Sequence, residues 1–251
     1  MTEFNIHSIN GIPVFSNDTS IQKNLRIILE SPKFINYISK LDLNILDISG
    51  IEIFKVIWFC SPTAISPDKL GFIFMDVKGK NKKTGKDVPG IVFLRGGAVA
   101  VYIIVEFEDI EYVVLTEQFR TPCGKKILEL PAGMMDNSSN FAGVAMKEIT
   151  EETGLIPPNI SDLIHIGKPM IPSGGGCDEE IQLFFWRTKI TEENFQKMQT
   201  TIYGKEEENE TISLKFIPFK NYEIELLENI RDGKAHSAHL LASIMGLLNK
   251  K

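Results

Sequence analysis

The sequence predicts an α+β fold, a mixed β-sheet flanked by helices and preceded by a smaller β-rich unit. Three observations carry this. Runs rich in Ile, Val and Phe dominate the middle of the chain, and helical patterns fall near both ends and after residue 139. The two do not alternate as regular βαβ units, which argues against a doubly wound parallel sheet. The length of 251 residues corresponds to one or two domains, and the change of pattern near residues 90–96 places a boundary there. Residues 1–92 then form an accessory domain of helix and strand, and residues 93–251 a second domain.

The elements follow from local pattern. Residues 21–41 carry Leu25, Ile28, Leu29, Phe34, Ile35 and Ile38 at helical spacing, interrupted at Pro32. Asn44 to Phe59 reads as strands split by Gly50, and Gly71 to Val77 as a further strand. Lys78 to Asp87 holds five lysines, two glycines and no apolar residue, the composition of a solvated hairpin tip. Ile91 to Phe107 reads as a long β-type stretch containing Gly96-Gly97, followed by a turn at Glu108–Glu111 and a strand over Tyr112–Phe119. A helix is expected from about Asn140 to Thr153, stopped by Gly154 and Pro157-Pro158. Strands follow at Ile181–Thr188 and Leu214–Pro218. Two helices close the chain, near Tyr222–Arg231 and Ser237–Asn249, with Asp232-Gly233 between them as a stop signal.

Composition narrows the function. Lys and Arg total 27 against 33 Asp and Glu, a net charge of −6. That excludes a protein whose main task is coating nucleic acid, because such binding rests on neutralising phosphates with Lys and Arg. A small phosphate-bearing substrate is not excluded, since it needs only local charge or a metal. No apolar run reaches the roughly 18 residues of a membrane span. The start has Glu3 and no Lys or Arg before Lys23, unlike a basic signal or transit peptide. Cys60, Cys123 and Cys177 are scattered without CxxC spacing, which suits a reducing compartment. A cytoplasmic protein is expected.

The most informative segment is Gly133 to Leu155. On a helical wheel Phe141, Ala142, Ala145, Met146 and Ile149 form one apolar arc. Glu148 and Glu152 lie one turn apart at its edge, and Glu151 lies beside them, away from the core. Three carboxylates at i, i+3 and i+4 therefore share a face, with Cβ atoms about 5–6 Å apart. Like charges so placed weaken a helix, more so near its C-terminus. A hard divalent cation turns that repulsion into attraction, and Mg²⁺ commonly takes one or two carboxylates together with substrate phosphates. Lys147 stands at i, i+4 to Glu151 and can hold it by an ion pair.

These residues resemble the Nudix box: Gly, five residues, Glu, seven residues, then Arg-Glu-apolar-any-Glu-Glu-any-Gly-apolar. Gly133, Glu148, Ile149, Glu151, Glu152, Gly154 and Leu155 fall in register, seven positions within 23 residues. Ser139 stands where the pattern has its first Glu, and Lys147 where it has Arg. The resemblance continues in Leu115–Pro122, Leu128–Gly133, Arg95-Gly96 and Pro172–Glu180, and covers roughly residues 88–248. These stretches are similar to the ADP-ribose and ADP-sugar pyrophosphatase branch, the Pro172–Glu180 run and the Leu-Pro-Ala-Gly-Met context to plant-type ADP-sugar diphosphatases in particular.

The resemblance implies a Nudix α/β/α sandwich with a mixed sheet. It implies metal-dependent hydrolysis of an ADP-sugar, ADP-glucose or ADP-ribose, to AMP and sugar 1-phosphate, with Mg²⁺ or Mn²⁺ as cofactor. Glu148 and Glu152 are then the first metal ligands, the carbonyl of Ala132 a further one, and Glu151 either a ligand or an organiser behind them. Glu129 is placed to hold a water of the metal. Glu210, in the acidic loop 204–213, best matches the general base that this branch carries on a mobile loop, with Glu206, Glu207 and Glu208 as competitors. A base on a loop can reach the water when substrate closes it.

Arg120 reads either as a fork on substrate phosphate or as an ion pair with a nearby Glu, and Arg95 reads similarly. Gly133, Glu129 and Glu179 complete the candidate substrate contacts. Phe54, Trp58 and Phe59 read as core or dimer-interface residues of a strand rather than a base-stacking platform, and the resemblance implies a homodimer built through the N-terminal domain. His236 and His239 read as structural. Cys177, among carboxylates, is not a nucleophile. Two alternatives stay open: a UDP- or GDP-sugar as substrate, and a Nudix-fold nucleotide-sugar sensor without turnover.

Overall fold

Asn10 and Gly11 both adopt positive φ (51° and 79°), the turn chemistry of a two-residue hairpin. They join β1 (His7–Ile9) to β2 (Ile12–Phe15) in the computed structural model, which describes residues 7–135, 140–204 and 210–240. Asp18 caps α1 (Thr19–Leu29) by accepting the Ser20 N–H, and Ser31 caps α2 (Pro32–Lys40) by accepting the Phe34 N–H. Pro32 therefore opens a second helix, at a position where its missing N–H has no intrahelical partner to lose. β3 (Leu46–Trp58), β4 (Leu70–Asn81) and β5 (Ile91–Leu94) complete a sheet of order β1-β2-β3-β4-β5.

Gly50 does not split β3, contrary to the sequence reading. A register shift between Ile48 and Gly50 absorbs it within one continuous strand. The lysine-rich segment gives Lys78–Asn81 to β4, and only residues 82–87 form the exposed tip. One face of this sheet, with Ile51, Ile53, Ile73 and Met75, packs on Leu25, Ile28 and Phe34 of the two helices.

The expected β-stretch 91–107 is two strands in two sheets. It breaks at Arg95–Gly97, where Gly96 takes φ 88°. The second sheet holds β6 (Ala98–Phe107), β7 (Ile110–Arg120), β8 (Lys125–Glu129), β9 (Ala132–Met134), β10 (Ile164–His165), β11 (Ile181–Lys189) and β12 (Ser213–Pro218). Its main path runs β10-β11-β6-β7-β12, with β8 on β7 and β9 on β6. The β11–β6 pairing is parallel and the others antiparallel, so the sheet is mixed.

β6 explains the layers. Ala98, Ala100, Tyr102 and Ile104 face a core that includes Tyr222 of α5 (Tyr222–Arg231) and Ala238. Val99, Val101, Ile103 and Val105 face a core with Ala145 and Ile149 of α3 (Phe141–Thr153) and Met198 of α4 (Glu192–Thr200). A strand buried on both sides with period two is the centre of an α/β/α sandwich, as expected.

The described residues fall into two compact units. One runs to Gly97 and takes in Ser173–Glu179; the other holds Ala98–Pro172 and the chain from Glu180. Gly233, at φ 65°, ends α5 as the stop signal implied. Residues 237–240 are helical, and the rest of the expected Ser237–Asn249 helix lies outside the described residues. No described helix is long and apolar enough to cross a membrane.

Candidate active site

Asn140 starts α3 by accepting the Gly143 N–H at 3.0 Å, and Gly154, at φ 71°, ends it. Ala145 and Ile149 enter the core and so fix the rotation of the helix. That rotation carries Glu148 and Glu152 inward as well: they are 8% and 4% exposed. Both meet the short strand β9. The Ala132 N–H donates to Glu152 Oε2 at 2.9 Å. Gly133 lies against Glu148 so closely that a Cβ there would stand 2.0 Å from Glu148 Cδ. Gly133 thus makes the space that the carboxylate fills.

Burying a carboxylate disfavours its charged form. Burial is the main reason the Glu152 carboxyl is pushed up to about 8; the Ala132 amide opposes the shift, and the like charges of Glu148, Glu210 and Glu129 add to it. Four of the predicted carboxylates are therefore close enough to feel one another: two from α3, one from the end of β8 and one from the segment before β12. Among the described residues no three His, Cys, Asp or Glu side chains are arranged to hold a metal ion by themselves. Yet two buried oxygen donors with a like-charge penalty are suited to a hard divalent cation whose other ligands are backbone, water and substrate. The chemistry of the donor set fits a hard divalent cation.

Glu151 is partly exposed, with Lys147 Nζ 3.9 Å from it, at the outer limit of an ion pair. Glu210 stands at the end of a loop whose base is tied by two bonds between Tyr203 and Ile212, 2.8 and 2.9 Å. Gly204, at φ 101°, turns the chain into that loop where a Cβ would press on Glu210 Cβ at 2.7 Å. Glu206, Glu207, Glu208 and Ser139 lie outside the described residues.

Arg120 holds Glu129 with a two-pronged fork, Nε to Oε2 at 2.8 Å and Nη2 to Oε1 at 3.2 Å. The Arg120 side chain remains 40% exposed. His236 Nε2 lies 3.9 Å from Glu129 Oε1, because Ala235 bridges to Leu128 in β8. Sequence reasoning assigned His236 no place at the site; only this long-range pairing brings it there. His239 is buried, hydrogen-bonded to the Tyr222 hydroxyl at 2.8 Å, and burial pushes its imidazole down to about 4.

Arg95 and Glu179 belong to the first unit, where Arg95 Nη1 meets Glu179 Oε1 at 2.9 Å. Asp178, which sequence reasoning passed over, accepts the backbone N–H groups of Arg95 and Gly96. Burial, more than the neighbouring acids, raises the Cys177 thiol, so it is poorly suited to attack as a thiolate.

A NUDIX domain model matches residues 94–241. Nudix hydrolase 14, chloroplastic, of Arabidopsis thaliana is 36% identical over 212 residues, which is 81% of this chain and 64% of that protein. ADP-ribose pyrophosphatase of Bacillus subtilis is 30% identical over 88 residues, 35% of this chain and 44% of its own. ADP-sugar pyrophosphatase of Mus musculus is 43% identical over 44 residues, 18% of this chain and 20% of its own. The chain thus spans less than two thirds of the length of each of these relatives.

Proposed function

Because the chain belongs to the NUDIX domain family, we propose that it hydrolyses the diphosphate bond of an ADP-sugar, giving AMP and a sugar phosphate. The observation that carries this is the pair Glu148 and Glu152, buried one helical turn apart against Ala132–Gly133, with Glu210 and Glu129 close to Glu152. The names of the Bacillus and mouse relatives support the nucleotide class.

Glu148 and Glu152 would hold the divalent cation, with the Ala132 carbonyl as a further donor. When bound, the cation supplies charge neutralisation for the diphosphate and acidifies the attacking water. Glu210 takes the proton of that water as its oxygen bonds to phosphorus and the bridging oxygen leaves. A base carried on a loop can reach the water when substrate is bound. Arg120 fixes Glu129 at the edge of the acidic group and presents its exposed side to phosphate.

A second copy of the chain is part of the same reading. Phe54, Phe59 and Phe74 are large apolar side chains left exposed on the first unit, and Phe59, Phe72, Phe93 and Phe74 form a run of rings 4.7–5.2 Å apart. A light-scattering mass of a monomer would remove the dimer from this account. The activity itself is tested by product analysis on ADP-ribose, ADP-glucose, UDP-glucose and GDP-mannose with Mg²⁺, Mn²⁺ or EDTA. AMP is expected from the ADP-sugars in the metal lanes only. Binding without any cleavage would favour a sensor instead.

A further inference from the structure

Leu128 of β8 directs both of its backbone groups to the chain that follows α5. Its N–H donates to Lys234 O at 2.8 Å, its carbonyl accepts the His236 N–H at 3.1 Å, and Ala235 forms a parallel bridge with it. Asn229 O accepts the N–H groups of Lys234 and Ala235, at 2.8 and 3.3 Å, and Ala238 enters the core behind them. The segment 234–236 is thus laid along the edge of β8 away from β7. Because Ala235 stands opposite Leu128, the alternation of side chains puts His236 on the face of Glu129.

The ring of His236 is oriented as well. Its Nδ1 accepts the Ala238 N–H at 3.2 Å. A neutral imidazole carries one N–H, which that bond assigns to Nε2. Nε2 lies 3.9 Å from Glu129 Oε1, longer than a hydrogen bond. The two Glu129 oxygens take Nε and Nη2 of Arg120, at 2.8 and 3.2 Å, so the guanidinium already matches their charge. The Glu129 carboxylate lies beneath, 8% exposed, while the Arg120 and His236 side chains beside it are 40% and 33% exposed. The charge of Glu129 is felt at Glu152, so this corner borders the buried carboxylate pair. Two donors that reach the surface over one neutralised carboxylate form a place for an anion, and a phosphate oxygen accepts from both.

We propose that His236 is a further substrate-binding residue: its Nε2–H donates, beside Arg120, to a phosphate oxygen of the nucleotide sugar. This rests on the proposed diphosphate hydrolysis and on Arg120 as a phosphate contact. The bond orders the substrate and moves no proton.

Substitution separates the two ends of the ring. His236→Asn keeps an acceptor for the Ala238 N–H but is too short to supply the Nε2 donor, whereas His236→Gln reaches the donor position and gives up the cap. The test is steady-state kinetics on ADP-ribose with Mg²⁺, a Mg²⁺ titration and a thermal melt for the parent and both variants. His236→Asn should melt like the parent and raise KM about ten-fold, the worth of a hydrogen bond to a charged group. Its kcat should stay within about two-fold, as for a contact made equally in ground and transition states. His236→Gln should keep a KM close to the parent's while melting lower. An unchanged KM in His236→Asn, or an equal rise in both variants, overturns the proposal. So does a higher Mg²⁺ requirement at unchanged KM, which would show that the ring acts through Glu129 instead. Should His236→Gln fail to fold, His236→Asn decides alone. A parent that releases no AMP overturns the hydrolysis reading instead, and the dissociation constants for ADP-ribose then decide the contact by the same comparison.

Discussion

The Ala132 amide and Glu152 Oε2 are joined at 2.9 Å across twenty residues of chain. The bond ties the C-terminal turn of α3 to β9 and holds a carboxylate where water cannot solvate it. A helix built only for stability would place an apolar side chain there. The site therefore holds a buried acid whose ionisation is costly and whose natural compensation is a cation.

The first prediction follows from its proton. Glu152 holds its proton to about 8 in the folded protein, against 4.5 ordinarily. Between those values the folded state binds a proton that the unfolded state has lost, so metal-free stability falls as pH rises through the window. Thermal melts in EDTA at pH 5 to 9 should show wild type losing ground to Glu152→Gln as pH rises. A constant difference contradicts the buried-acid assignment. Cation binding should release this proton below pH 8, seen as a buffer-dependent heat in calorimetry.

Gly133→Ala should strike Glu148 directly, its new methyl falling 2.0 Å from Glu148 Cδ. The carboxylate must move, so the Mg²⁺ concentration for half-maximal rate should rise, about ten-fold or more if a displaced ligand behaves like a lost outer-shell partner. An unchanged metal dependence would mean that Glu148 is not a ligand.

Glu210→Gln should lower kcat by about 10²–10⁴, the range of a general base, while leaving the metal requirement intact. A full rate at saturating substrate would move the base elsewhere, with Glu206, Glu207 and Glu208 next to be tested.

His239 gives a pH effect of opposite sign. Its folded value near 4 lies below the ordinary 6.5, so it contributes stability that is present above 6.5 and lost as pH falls toward 4. Replacing it by Gln should lower stability at pH 7 and reduce the loss between pH 7 and 5. Denaturant melts at the two values measure this, and an unaltered loss would show that His239 does not titrate in this range.

The parts legible in the sequence were those with a local cause. The bounds of α3 and the register of Glu148, Glu151 and Glu152 follow from spacing alone. α4 escaped notice because Met198 is its one buried side chain, too little for a periodic signal. β8 begins with Lys125-Lys126 and is made a strand by pairing with β7. The phosphate and ion-pair readings of Arg120 could not be separated by sequence, since its fork reaches Glu129 across the β7–β8 turn. Asp178 binds backbone 82 and 83 residues away, and no local pattern marks such a clamp.

The central claim is that Glu148 and Glu152 hold the cation for diphosphate hydrolysis. It is tested most directly by AMP release from ADP-ribose at saturating Mg²⁺, comparing wild type with Glu152→Gln. The account predicts a loss of more than about 100-fold, since even outer-shell partners of metal ligands are worth 10–100-fold, with the folded state kept and no less stable in EDTA. A Glu152→Gln enzyme that releases AMP at the wild-type rate would contradict it.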